Sequence, residues 1–124
     1  MSDKKSKILL VDDEESIHIL YKEELEEEGY EVESVLDGEA ALKSFEEYKP
    51  DLVILDINMP GMDGIEVLRR MKQNRPQVPV ILSSAYPEYK QDLGSWASDD
   101  YIVKSFNLDD LKNSVKKHLA KNKD

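Results

Sequence analysis

Two short aliphatic runs, each ending on carboxylates, set the tightest limit on how this chain folds. Ile8-Leu9-Leu10-Val11 runs into Asp12-Asp13-Glu14, and Leu52-Val53-Ile54-Leu55 runs into Asp56. Uninterrupted aliphatic runs of this length suit strands buried on both faces, as in a parallel sheet. If the two strands are neighbours, Asp12, Asp13 and Asp56 converge at one sheet edge. Like charges ~4 Å apart repel by about 4 kcal/mol at an effective dielectric near 20. Such a cluster works against stability. It makes sense as a divalent-cation site containing a reactive carboxylate.

The rest of the chain alternates in the same way. Strands are expected at 7–11, 31–35, 52–55, 79–82 and 101–103. Helical spacing of apolar residues falls between them. Residues 15–28 carry Ile17, Leu20, Tyr21, Glu24 and Leu25 on one stripe, and Gly29 is a natural stop. Asp37 caps a helix through residue 47, and Gly64 opens one through residue 73. The 88–96 helix is weak, with Gly94 inside it. Asn107 caps a last helix whose face is Leu108, Leu111, Val115 and Leu119. A strand–helix unit repeated five times gives a five-stranded parallel sheet in a three-layer α/β/α sandwich. In such folds, ligands bind outside the carboxyl ends of the strands. Asp12, Asp13, Asp56, Ser83, Ser84 and Lys104 all fall at predicted carboxyl ends.

At 124 residues the chain has the size of one domain. It has no cysteine, which excludes disulfides, thiolate metal sites and cysteine catalysis. The net charge is −10, with lysines concentrated at both ends, so the body between them is strongly acidic. That argues against direct nucleic-acid binding. No apolar run approaches a membrane span and no signal-peptide pattern opens the chain, so a cytoplasmic location is expected.

The residue types at the strand ends point to a particular chemistry. Mg²⁺ takes oxygen ligands, usually one or two carboxylates with waters and phosphate oxygens. Asp13 and Asp56 supply two, Asp12 holds a coordinated water, and the backbone carbonyl of Asn58 adds another. A carboxylate such as Asp56 can act as a nucleophile toward phosphorus. The transferring group then needs charge neutralisation on its equatorial oxygens. Lys104 offers a cation for this, and Ser84 a hydroxyl. Read singly, these residues are ordinary. The acids 12–15 form a favourable helix start, Asp56 a turn initiator, Lys104 a surface lysine and Tyr101 a half-buried strand aromatic. Ser83 is expected to face core or helix. His18 and His118 are spaced like surface helix residues. Neither has a metal-site companion.

The chain resembles the receiver domains of two-component response regulators from end to end. The matching stretches are Val11-Asp12-Asp13-Glu14, then Asp56-Ile57-Asn58-Met59-Pro60-Gly61-Met62-Asp63-Gly64, Ser84-Ala85, and Tyr101-Ile102-Val103-Lys104-Ser105-Phe106. The resemblance is to the chemotaxis-type, single-domain members. It implies a flavodoxin-like, doubly wound sheet of strand order 2-1-3-4-5, with one receiver domain over 1–124, a core at 6–119 and flexible ends at 1–5 and 120–124. It implies that Asp56 is the phosphoacceptor, charged from a sensor histidine kinase, a phosphotransfer protein or a small phosphodonor. Asp12 and Asp13 then hold Mg²⁺, and Lys104 is the motif lysine. Ser84 and Tyr101 occupy the switch positions. The protein is expected to catalyse only its own aspartyl phosphorylation and dephosphorylation. Its output is expected to be contact with a downstream protein, as a monomer or a weak phosphorylation-dependent dimer, without nucleic acid or membrane.

Two places depart from the family pattern. Ser105 follows Lys104 where proline is usual. A cis bond before a non-proline costs roughly 3 kcal/mol, so a trans bond is expected there. The stretch 86–100 is short and lacks the usual Gly-Ala before the last strand. The alternative reading is a receiver-like interaction module that no longer takes phosphate. An aspartyl-phosphate phosphatase is disfavoured because Asn58 stands where its second acid belongs.

Overall fold

The computed structural model describes residues 5–56, 64–84, 100–103 and 108–121. Five strands and four helices are described: β1 (Lys7–Val11), α1 (Glu15–Glu27), β2 (Glu31–Val35), α2 (Gly38–Glu47), β3 (Leu52–Asp56), α3 (Gly64–Asn74), β4 (Val80–Ser84), β5 (Asp100–Val103) and α4 (Asp109–Lys121). All strand pairs are parallel, in the order β2-β1-β3-β4-β5. This is the expected flavodoxin-like arrangement. The predicted 88–96 helix and the Asn107 cap lie outside the described residues.

Alternation along the strands builds two cores. Ile8, Leu10, Leu52, Ile54, Ile81 and Ile102 pack against Tyr21 and Leu25 of α1 and Leu111, Val115 and Leu119 of α4. Leu9, Val11, Val53, Leu55, Val80 and Leu82 face α2 and α3, meeting Phe45, Leu68 and Met71. The sheet is therefore apolar on both faces, which is why its central strands read as unbroken aliphatic runs.

The helix ends follow from local chemistry. Asp37 accepts from the Ala40 amide at 2.8 Å and caps α2. At the end of α1, Gly29 takes φ +99°. Its amide donates to the Glu26 carbonyl at 3.0 Å, and the Tyr30 amide donates to Leu25 at 3.2 Å. This paired arrangement is a Schellman motif. The carboxyl end of α2 has no basic residue in its own last turn. Its cations come from elsewhere: Lys7 Nζ donates to the Tyr48 carbonyl at 3.1 Å, and Arg75 donates to the Phe45 carbonyl.

Three expectations need correction. β3 extends through Asp56, because its ladder with β4 continues to the pair Asp56↔Ser83. β4 begins at Val80 and runs to Ser84, later than 79–82. His18 and His118 are buried, at 8% and 6% exposure, not surface residues. His18 shares its inward stripe with Tyr21 and Leu25 at helical spacing.

Candidate cation and phosphoryl site

The register of β1 against β3 builds the site. Val11 pairs with Leu55, so the next residue on each strand, Asp12 and Asp56, stand side by side at the carboxyl edge. Asp13 follows at the rim. Asp12 and Asp56 are buried and Asp13 is exposed. One carboxylate oxygen from each of the three lies within 4.8 Å of the others. Three carboxylates this close suit a hard cation with oxygen ligands.

Asp12 is held from several directions. Its amide donates to the Val35 carbonyl at 3.2 Å, which ties it to the end of β2. Its Oδ1 accepts from the Glu14 amide at 2.9 Å, a local turn that also starts α1. Its carbonyl is hydrogen-bonded to His18 Nε2. That third contact was not foreseen from the sequence. The signal was present in the spacing His18, Tyr21, Leu25, which is as regular as the apolar stripe read through Ile17 and Leu20.

Ser83 stands where the sequence places it, at a strand end facing core or helix. It is the register partner of Asp56, is buried at 1% exposure, and its hydroxyl has no hydrogen-bond partner among the described residues. The predicted switch residues occupy backbone positions beside it. Ser84 ends β4 opposite Val103, and Tyr101 lies in β5 opposite Leu82. Lys104, Ser105 and Asn58 lie outside the described residues, as does 85–99.

Among the described residues, no helix is long and apolar enough to cross a membrane. Residues 8–116 match the family model of the response regulator receiver domain. The alkaline phosphatase synthesis transcriptional regulatory protein PhoP of Bacillus subtilis is 42% identical over 93% of this chain, which spans about half (49%) of that relative's length. Sporulation initiation phosphotransferase F of the same organism is 40% identical over 91% of this chain and 93% of its own. Response regulator TrrA of Thermotoga maritima, solved in complex with Mg²⁺-BeF, superposes with a TM-score of 0.86 at 52% identity, covering 91% of this chain and 98% of that one. TrrA has also been solved in complex with the histidine kinase ThkA, and that copy superposes with a TM-score of 0.85 at 52% identity, over 92% of this chain and 98% of that one. The acid-tipped strands, the sheet order and these matches agree: the chain belongs to the response regulator receiver domains, a family of two-component signalling switches and not of metabolic turnover enzymes.

Proposed function

We propose that this domain accepts a phosphoryl group on Asp56 in a Mg²⁺-dependent reaction and signals through altered protein contacts. The observation that carries this reading is the convergence of Asp12, Asp13 and Asp56 from adjacent strand ends. The donor set is all oxygen and strongly anionic, which fits Mg²⁺. Asp12, Asp13 and Asp56 would hold the ion, with the Asn58 carbonyl completing the protein ligands. When bound, it neutralises charge on the carboxylates and on the incoming phosphoryl oxygens.

Asp56 Oδ forms the new P–O bond as the P–N bond to a donor phosphohistidine breaks. The imidazole leaves with the bonding pair and takes up a proton. Lys104 offsets charge on the phosphoryl oxygens, and Ser84 donates to one of them. Water later cleaves the acyl phosphate and restores the carboxylate. Burial of Asp56 limits access of that water.

Drawing Ser84 toward the phosphoryl group and Tyr101 inward shifts the population between two surface arrangements. The TrrA complex with ThkA supports a sensor histidine kinase as the phosphodonor. A downstream protein reads the state, with the domain acting in the cytoplasm as a monomer or a weak phosphorylation-dependent dimer.

The test is exposure to acetyl phosphate with Mg²⁺, followed by intact-mass spectrometry. One added phosphoryl group per chain is expected, absent in Asp56→Asn and absent with excess chelator. Stable labelling of Asp56→Asn at another residue sinks the assignment. No labelling and no Mg²⁺ binding in the unmodified chain favours the phosphate-independent interaction module.

A further inference from the structure

We infer that His18 is a positioning residue for the cation site, acting through the backbone of Asp12 to aim both Asp12 and Asp13. The inference rests on the proposed reading of the acid cluster as a Mg²⁺ site.

His18 lies on α1, buried at 8% exposure, with Nε2 hydrogen-bonded to the Asp12 carbonyl. A carbonyl only accepts, so Nε2 carries the hydrogen in this contact. The Asp12 carbonyl and the Asp13 amide belong to one planar peptide unit. Holding that oxygen fixes the plane from which the Asp13 backbone departs. The other side of Asp12 is already held by its amide bond to Val35, and its carboxylate by the Glu14 amide. His18 thus closes the third constraint, and the Asp12-Asp13 pair enters the site with little backbone freedom.

The constraint matters because the pair stands at a strand end, where the β1 ladder has stopped. The register of β1 with β3 ends at Val11↔Leu55. Beyond that point sheet hydrogen bonding to β3 no longer dictates orientation. Three carboxylates crowded within 4.8 Å would otherwise relax apart by rotating the exposed member, Asp13, into solvent. Partners that orient the ligands of a metal typically change its affinity by about 10- to 100-fold when removed.

A buried histidine can also be mere packing against Tyr21 and Leu25, and the test must separate the two roles. We would measure Mg²⁺ affinity by calorimetric titration, and stability by urea unfolding without metal, in His18→Leu and His18→Gln. Leucine keeps apolar volume and removes the donor; glutamine keeps an N–H donor. His18→Leu is expected to weaken Mg²⁺ binding by about tenfold, and His18→Gln to recover most of that loss whatever each does to stability. Should the leucine variant fail to fold, His18→Met serves as the donor-free variant.

Wild-type affinity in the folded donor-free variant overturns the role of His18. So does glutamine binding as weakly as leucine, since the loss then tracks packing. Failure of the underlying reading looks different: the unmodified chain binds no Mg²⁺, or Asp13→Asn leaves its affinity unchanged.

Discussion

The Arg75 guanidinium lies 4.5 Å from the centroid of the Phe45 ring while donating a hydrogen bond to the Phe45 backbone carbonyl. One side chain, just past the end of α3, thereby covers an aromatic core residue and satisfies an open carbonyl of α2. A charged hydrogen bond contributes about 1.5–3 kcal/mol and a cation–π contact about 0.5–1 kcal/mol at exposed sites. Arg75 is only half-buried, so the lower ends apply. Arg75→Ala is expected to cost about 2 kcal/mol in urea unfolding. Arg75→Lys should fall between, because the ammonium keeps charge but not the planar stack. Equal stability of Arg75→Ala and the parent would refute the double role.

Gly29→Ala is expected to cost about 1 kcal/mol. An added Cβ there meets no atom within 4 Å, so crowding is not the reason. The cost comes from placing an L side chain at φ +99° in the Schellman motif. Gly29→Asn should lose less than alanine. Thermal unfolding of the two variants side by side checks the order.

Ser83→Ala should leave stability unchanged or raise it by up to about 1 kcal/mol. A buried hydroxyl without a partner carries a desolvation cost that its removal relieves. Ser83 is buried beside Asp56 with no partner among the described residues. A loss above about 1 kcal/mol would mean that this hydroxyl is hydrogen-bonded in solution.

Tyr48 predicts a pH effect with a definite sign. Burial, and then the carboxylates of Glu31, Glu33 and Asp51, hold its phenol well above the ordinary range. Its neutral form is favoured in the folded chain. The associated stability is fully present below the unfolded tyrosine value near 10. It is lost as pH rises from there toward the folded value. Tyr48→Phe should therefore flatten the alkaline limb of the stability–pH profile and leave the neutral region nearly unchanged. An identical alkaline limb in the variant would rule this out.

How much of this was legible in the sequence depended on whether the deciding interaction was local. The β1, β3 and β4 runs stood out because strands covered on both faces have no polar interruption. The Asp37 cap and the Gly29 stop were readable because each acts within a few residues of itself. The convergence of Asp12 and Asp56 also followed, since parallel strands must align their carboxyl ends. His18 was missed because apolar periodicity gives a histidine no weight, though its Tyr21 and Leu25 spacing was there to read. Ser83 was readable as a core-facing strand end, but its place opposite Asp56 is set by pairing between strands and had no local signal. The capping of α2 by Lys7 and Arg75 had no sequence signal: the partners lie 41 and 30 residues from the carbonyls they meet.

The position of β2 at the rim of the sheet has one more consequence. An outermost strand presents unpaired amides and carbonyls that invite another chain to add on. β2 is five residues long and places Glu31 and Glu33 among its valines. Two such strands meeting edge to edge would bring these carboxylates together, where like charges repel. The carboxylates of Glu31 and Glu33 therefore oppose edge-to-edge pairing of two β2 strands.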